Sequence, residues 1–128
     1  ITIYIIMNRA LLIVAHGSRR KESNIEVIQL AARIRRKNRS FSDVNAAFLE
    51  LAKPSISDAI LNCVSNNVKE VVVFPYFLAS GRHVFKDIPE IISSEKVKYP
   101  EINIKLLKYF GSHIELPDIL SSICENNI

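Results

Sequence analysis

The sequence predicts an α/β fold, a three-layer sandwich in which helices cover both faces of a four-stranded parallel sheet. Four runs rich in apolar and β-branched residues alternate with four segments of helical periodicity, in the order β-α-β-α-β-α-β-α. The first run, residues 10–15, is apolar throughout, which is typical of a strand buried on both faces of a parallel sheet. We take the strand order to be the flavodoxin-like 2-1-3-4.

The start of the chain leaves two interpretations open. Residues 1–6 are apolar, too short a run to span a membrane, and no small-residue cleavage site follows them. They are either an upstream extension, with Met7 as the initiator, or part of the first strand. The length of 128 residues and the lack of an internal linker predict that residues 7–128 form a single domain.

The first half of the chain contains two predicted strands, each followed by a helix. The first helix covers residues 22–37, and its basic end suits the negative end of a helix dipole. The second strand, 44–51, includes Glu50 and stops before Pro54, after which Ser55 caps the second helix. The apolar positions with helical spacing are Ile25, Ile28, Leu30, Ala31, Ala32 and Ile34 in the first helix, and Ile56, Ile60, Cys63 and Val64 in the second.

The second half repeats this alternation. Residues 70–75 are the most β-prone run and predict the third strand, followed by a loop over 76–86. Residues 87–89 predict the start of the third helix, because proline is favoured in a first helical turn. A fourth strand is expected over 102–109 and a last helix over 117–125. The side chains of the last helix expected to face inward are Leu120, Ile123 and Cys124.

Composition narrows the function classes. The net charge of +4 is only a mild basic excess, aromatic residues are few, and no zinc-knuckle or helix-turn-helix pattern is present, so we expect no nucleic-acid partner. No GxGxxG or Walker-type loop indicates a nucleotide. Cys63 and Cys124 form no CxxC pair, and we expect both to be buried, reduced thiols in a cytoplasmic protein.

The few histidines and glycines gather at one edge of the predicted sheet. His16, His83 and His113 each follow a predicted strand, as does each of the three glycines. Ligands bind beyond the carboxyl ends of parallel strands, where the strand order reverses. With strands one and three adjacent, the imidazoles of His16 and His83 are expected to face one site. Imidazole binds cobalt, nickel, iron and zinc, so the residues alone leave metal binding, catalysis and a structural role open.

Charged residues surround the same edge. A carboxylate within an apolar strand is costly, so Glu50 either lies past the strand end in water or accepts protons at the site. For His113 the simpler account is that it and Ser112 satisfy backbone groups of the last loop. The cations of the strand-end loops suit a ligand with several carboxylates. They are Arg19, Arg20, Lys21, Lys53 and Arg82.

Three segments together resemble the sirohydrochlorin cobaltochelatase family in its short, single-domain, CbiX-like form. They are AHGSR at 15–19, FLELAKPS at 48–55 and PYFLASGRHVFKDIP at 75–89. The third segment is long and distinctive, and the resemblance covers nearly the whole chain from Met7. It implies a chelatase fold and an enzyme that inserts Co²⁺ into sirohydrochlorin during cobalamin synthesis. Related enzymes insert Fe²⁺ or Ni²⁺.

The resemblance also implies the site residues. The two metal-holding histidines of the family fall on His16 and His83, and His16 also serves as a proton acceptor. Glu50 is a second catalytic candidate from its own position in the sequence, as a proton acceptor or an outer ligand. The family's substrate-contacting regions fall on Glu50, Lys53 and the loop Leu78, Ala79, Ser80, Gly81, Arg82 and His83. No permanently bound cofactor is expected, since the metal is a substrate. A single-domain chain is expected to form a homodimer, because larger relatives build the cleft from two domains.

The sequence departs from the family pattern at Arg82, often small or apolar in relatives, and at Phe85, often Thr. These changes bear on the choice of metal and substrate. Two rival functions remain open from the residues. One is phosphoryl transfer through a phosphohistidine at His16, with Arg19 and Arg82 nearby. The other is a non-catalytic carrier of a metal or a tetrapyrrole.

Overall fold

The computed structural model describes residues 8–128, and within them four parallel strands form one sheet. The order β2-β1-β3-β4 confirms the predicted 2-1-3-4 arrangement. The predicted extension or strand over residues 1–6 and the proposed start at Met7 lie outside the described residues. The strands are β1 (Arg9–Ala15), β2 (Asp43–Phe48), β3 (Glu70–Pro75) and β4 (Asn103–Leu106).

Helices follow the strands as the sequence predicts. A five-residue π-helical turn, His83–Asp87, leads directly into α3, and a 3₁₀ turn, Phe110–Ser112, precedes α4. The helices are α1 (Lys21–Lys37), α2 (Ile56–Ser65), α3 (Ile88–Lys98) and α4 (Leu116–Asn126). No helix within residues 8–128 combines the length and apolarity needed to cross a membrane.

The core has two layers because successive side chains of a strand point to opposite faces. Leu12 and Val14 of β1 pack with α2 and α3, whereas Leu11 and Ile13 face α1. Six consecutive positions of β1, from Ala10 to Ala15, are buried, in agreement with a strand covered on both faces. Burial of these apolar surfaces is the main stabilising contribution to the fold.

Two strands are shorter than predicted. The prediction that β2 continues to Leu51 is wrong: the chain turns away after Phe48, whose N–H donates to the carbonyl of Pro54 at 2.9 Å. The prediction that β4 covers 102–109 is also wrong, since it ends at Leu106. Its partner β3 ends in Pro75, which lacks the N–H that the next rung of the ladder requires.

The buried side of α1 also differs from the expected one. Val27, Leu30 and Ile34 pack around the buried Ala31. Ile25 and Ile28 remain 47% and 48% exposed. In α1 the apolar residues cover more than one face of the helix, so helical spacing alone does not identify the buried face. The orientation of the helix on the sheet decides which apolar residues are buried.

The expectation that α4 buries Leu120, Ile123 and Cys124 is wrong. These side chains are exposed, no residue of α4 is buried, and the exposed Ile119 lies beside them. The prediction of two buried thiols therefore holds for Cys63 and fails for Cys124. An amphipathic helix buries its apolar stripe only where another surface reaches it.

Candidate functional site

His16 and His83 come together at the carboxyl ends of neighbouring strands. His16 directly follows β1, and His83 begins the π-helical turn that follows β3 and its loop. Their ring centroids lie 4.8 Å apart with an angle of 58° between the planes. The side chains are 39% and 43% exposed, so both are accessible from solvent. The expectation that the two imidazoles face one site is confirmed as a matter of geometry.

The ring nitrogens of His16 have different partners. Nδ1 lies 2.9 Å from the carbonyl oxygen of Gly17. Because a carbonyl oxygen only accepts, Nδ1 carries the proton of this hydrogen bond. Nε2 lies 3.0 Å from Oε1 of Glu50. Glu50 therefore lies past the end of β2 and is exposed, which agrees with the first of its two interpretations, and its carboxylate also contacts His16.

Backbone contacts fix the segment that carries His16 against the segment that carries Glu50. The N–H of Leu49 donates to the carbonyl of Ala15, and the N–H of Glu50 donates to the carbonyl of His16, both at 2.9 Å. Gly17, at φ +95°, lies so close that an added Cβ would fall 1.7 Å from the carbonyl oxygen of Glu50. Glycine is required here both for the backbone angle and for the close approach.

Asn24 of α1 holds the first loop from the other side, a role that sequence reasoning missed. Its Oδ1 accepts from the N–H of Ser18 at 2.9 Å, and its Nδ2 donates to the carbonyl of Ser18 at 2.7 Å. The available signal was an amide side chain in the first turn of the helix that follows the loop. An asparagine side chain has both a hydrogen-bond donor and an acceptor, so it can bond to the N–H and the carbonyl of the same loop residue.

His83 is paired with Asp87, a second residue that was not predicted to belong to the site. Nδ1 of His83 lies 2.8 Å from Oδ2 of Asp87, across one turn of the π-helical segment. The prediction that residues 76–86 form a loop is therefore wrong at its end, because the helical segment begins at His83. Short π-helical turns are frequent at functional sites.

The other predicted substrate-binding residues lie on the segments that follow β2 and β3. Leu78, Ala79, Ser80, Gly81 and Arg82 are all exposed, and Lys53 is exposed on the loop after β2. The N–H of Gly111 donates to the carbonyl of Phe77 at 3.0 Å. This hydrogen bond joins the loop after β4 to the loop after β3. The Lys53–Pro54 peptide bond is cis.

Cations and aromatic rings also lie in segments that follow the strands, at the same edge of the sheet as the histidine pair. Arg19, Lys21 and Lys53 line a cleft of about 350 Å³ between the loops after β1 and β2. Lys21 is the first residue of α1 and not part of a loop as predicted. Arg20 instead pairs with Glu22 at 3.6 Å. Near the other loop, the rings of Tyr76 and Phe110 stack at 5.9 Å.

His113 does not join the pair. Its ring packs on Phe74 with centroids 5.6 Å apart, and its Nε2 donates to the carbonyl of Lys108 at 2.8 Å. Ser112 donates to the carbonyl of Tyr109 at 2.7 Å. The simpler prediction, that both residues satisfy backbone groups of the last loop, is confirmed.

Two imidazoles and one carboxylate at this edge of the sheet could bind a metal ion and accept protons. A metal held by the two imidazoles would have further coordination positions open for water or incoming nitrogen ligands. Within residues 8–128, no cluster of three or more His, Cys, Asp and Glu side chains has a geometry suited to a metal ion. The candidate site therefore rests on the pair His16 and His83, with Glu50 beside it.

Comparisons with known proteins agree with the fold and the motifs. The CbiX family model matches residues 10–126. The chloroplastic sirohydrochlorin ferrochelatase of Arabidopsis thaliana is 37% identical over 111 residues, which cover 87% of this chain and 49% of that one. The sirohydrochlorin cobaltochelatase of Methanococcoides burtonii is 30% identical over 118 residues, covering 86% of this chain and 89% of that one.

A solved structure shows the same fold. The sirohydrochlorin chelatase SirB from Bacillus subtilis subspecies spizizenii, in complex with cobalt, superposes with a TM-score of 0.77 at 28% identity. The match covers 93% of this chain and 50% of that one. The chain spans about half the length of several relatives that it matches, such as the plant enzyme. By its sequence, its motifs and its fold, the chain belongs to the CbiX family.

Proposed function

We propose that this chain is a lyase that inserts Co²⁺ into sirohydrochlorin in the biosynthesis of cobalamin, with release of two protons. The observation that carries the proposal is the 4.8 Å pair of His16 and His83 at the carboxyl edge of the sheet. Membership of a family with members named sirohydrochlorin cobaltochelatase supports the choice of substrates. Metal insertion needs ligands that hold an ion and then release it, and two imidazoles meet that need.

The metal is held between the two rings. His16 offers Nε2, because its Nδ1 is committed to the carbonyl of Gly17, and the metal takes the place of the contact between Nε2 and Glu50. His83 offers Nε2 as well, because its Nδ1 is committed to Asp87. Both rings bind the ion as neutral imidazoles, so binding weakens wherever they become protonated. The remaining coordination positions are open to the ring nitrogens of the tetrapyrrole.

Proton balance assigns roles to His16 and Glu50. Insertion forms bonds from the metal to the macrocycle nitrogens and breaks two N–H bonds, so two protons must be accepted. Glu50 lies 3.0 Å from Nε2 of His16, so a second group able to accept a proton stands beside the proposed metal position. As the metal moves from His16 to the macrocycle, the released Nε2 accepts one proton and Glu50 accepts the other. Both groups are solvent-accessible and return the protons to water.

The substrate is gripped by two sets of residues. The cleft lined by Arg19, Lys21 and Lys53 offers positive charge to the carboxylates of sirohydrochlorin. The exposed loop from Leu78 to Arg82 contacts the macrocycle beside the metal. The reaction requires no permanently bound cofactor, since the metal itself is consumed.

Fe²⁺ is the alternative metal, and a specific observation favours it. The plant relative, at 37% identity, is named a ferrochelatase. Imidazole accepts Co²⁺, Ni²⁺ and Fe²⁺, and the metal used often follows supply and geometry more than affinity. The same site therefore supports insertion of Fe²⁺ or Ni²⁺ into the same tetrapyrrole. Free thiols at Cys63 and Cys124 suit a cytoplasmic location for this chemistry.

A homodimer completes the proposal. The histidine pair is open to solvent on one side, and α4 leaves an apolar face exposed. Relatives of about twice this length carry a second half in the same chain, whereas the M. burtonii relative is of similar length to this one. A second copy of this chain, docked through α4, would replace that second half. Two-fold symmetry is the commonest arrangement for such a pair.

The test is anaerobic incubation of the chain with sirohydrochlorin and Co²⁺, Ni²⁺ or Fe²⁺, followed by absorbance spectroscopy. We expect acceleration over the spontaneous rate, greatest with Co²⁺. No acceleration with any of the three metals would overturn the chelatase proposal. Tight tetrapyrrole binding without insertion would instead select a carrier, and phosphatase turnover without metal would select phosphoryl transfer. Greatest acceleration with Fe²⁺ would select the ferrochelatase alternative.

A further inference from the structure

The carboxylate of Asp87 faces His83 and not the helix that it precedes. Asp87 comes directly before α3, but its backbone is helical (φ −65°, ψ −48°) and continues the π-helical turn into the helix, so Asp87 does not occupy a true N-cap. Its side chain makes no capping hydrogen bond. Its Oδ2 lies 2.8 Å from Nδ1 of His83, and its Oδ1 lies 4.0 Å from Nε of Arg82. Helix capping therefore does not explain the carboxylate.

The π-helical turn creates this arrangement. The N–H of Ile88 donates to the carbonyl of His83, five residues earlier, which is the widened hydrogen-bond pattern of a π-helix. His83 and Asp87 lie four residues apart within this turn. Asp87 is only 31% exposed, so its hydrogen bond to His83 is partly shielded from water. The turn therefore holds a carboxylate against the back of one imidazole of the pair.

We propose that Asp87 is a positioning residue that orients the His83 ring for the incoming metal. The carboxylate accepts from Nδ1, so the proton stays on Nδ1 and the lone pair stays on Nε2. A carboxylate behind a metal-binding histidine also increases the donor strength of the ring. His16 is oriented differently, by the carbonyl of Gly17. The Nδ1 atoms of the two rings therefore have different partners, a backbone carbonyl for His16 and a carboxylate for His83.

This inference rests on the proposed function, since it assumes that His83 binds the metal. Arg82 belongs to the same arrangement. Its guanidinium lies beside the oxygen of Asp87 that His83 does not use. At 4.0 Å, and with the Arg82 side chain largely exposed, this is a weak ion pair, so the orientation of the carboxylate rests on its hydrogen bond to His83.

The test compares Asp87→Ala and Asp87→Asn with the unaltered chain in two measurements. Two-bond ¹H–¹⁵N NMR correlations report which nitrogen of His83 carries the proton. Titration with Co²⁺ alone, followed by visible absorbance, reports affinity. We expect Asp87→Ala to shift the His83 proton toward Nε2 and to weaken Co²⁺ binding by about 10–100-fold. Asn keeps an acceptor oxygen but not the charge, so Asp87→Asn should retain the tautomer and lose less than about tenfold.

The control is Glu101→Ala, which removes an exposed carboxylate before β4, at the opposite edge of the sheet. It should leave both the tautomer and the Co²⁺ affinity unchanged. An unchanged His83 tautomer, or an unchanged Co²⁺ affinity, in a folded Asp87→Ala variant would overturn this inference alone. No Co²⁺ binding by the unaltered chain would overturn the proposed metal site and this inference together.

Discussion

The backbones of Gly17 and Glu50 lie in close contact, so the segments that carry His16 and Glu50 are held as one unit. A Cβ at position 17 would lie 1.7 Å from the carbonyl oxygen of Glu50. The N–H of Glu50 in turn donates to the carbonyl of His16 at 2.9 Å. Residues from two strands therefore reach the site with little freedom relative to each other.

Gly17→Ala should consequently damage both stability and activity. The new methyl group must displace the Glu50 backbone, and an L-residue is strained at φ +95°. We expect a loss of at least about 1–3 kcal/mol in the free energy of unfolding, measured by urea denaturation, and loss of metal insertion. Gly81→Ala is the matched control for stability, because nothing lies within 4 Å of a Cβ at that position. Equal stability of the two variants would contradict the predicted clash.

His16→Ala and His83→Ala should each abolish most metal insertion. Each removes one imidazole of the proposed metal site, and both side chains are only half-buried, so the fold should survive. Absorbance measures the rate of metal insertion, and circular dichroism shows whether each variant is still folded. His113→Ala serves as the control, because that ring packs on Phe74 and should not affect insertion. Full activity in both of the first two variants would show that the pair is not the metal site.

Ile60→Ala should destabilise the fold far more than its neighbour Leu61→Ala. Ile60 is fully buried in the core under the sheet, whereas Leu61 on the same helix is 50% exposed. The first change leaves a cavity and should cost about 2–5 kcal/mol in the free energy of unfolding. The second should cost within about 0.5 kcal/mol. Chemical denaturation of both variants gives the comparison, and similar midpoints would indicate that α2 does not pack as described.

The two cysteines should differ in reactivity. Burial, reinforced by the negative charge of Asp43, raises the pKa of the Cys63 thiol from 9.0 to about 11. Cys124 is exposed on α4. A thiol reagent at pH 8 should therefore modify Cys124 quickly and Cys63 only after unfolding. Mass spectrometry of the modified chain locates the label, and rapid labelling of Cys63 in the folded chain would contradict its burial.

The same shift has a consequence for stability at high pH. Because the folded pKa of Cys63 is raised, the chain binds more protons folded than unfolded between pH 9 and 11. This contribution is fully present below pH 9 and is lost as the pH rises to about 11. The unaltered chain should therefore lose more of its free energy of unfolding over this range than Cys63→Ala does. Parallel slopes for the two proteins would show that Cys63 does not contribute.

Association should depend on the apolar face of α4. Ile123 and Ser121 are both exposed, but Ile123 shares a face with Ile119 and Leu120, whereas Ser121 points away from it. Ile123→Asp should convert the proposed dimer to monomer, and Ser121→Asp, which adds the same charge, should leave the dimer intact. Size-exclusion chromatography with light scattering distinguishes the two states. A monomeric unaltered chain would contradict dimerisation through α4.

The sequence by itself determined the order of strands and helices, the parallel sheet and the residues gathered at its carboxyl edge. These follow from local periodicity and from the rule that parallel strands end at one edge, and β3 was predicted with its observed bounds. The motifs around His16, Glu50 and His83 also indicated the family that the comparisons show. Such features depend on residue type and spacing, which are visible in one chain.

Only the tertiary structure decided the distances and the exposed surfaces. The distance of 4.8 Å between the ring centroids of His16 and His83 depends on the strand register and on a π-helical turn. Hydrophobic periodicity did not predict this turn. Asp87 was predicted to begin a helix, but it lies inside a helical segment that already starts at His83, and there its carboxylate contacts His83. The apolar stripe of α4 was visible in the sequence, but its exposure was not. Periodicity shows which face of a helix is apolar, whereas burial requires a second surface to meet it.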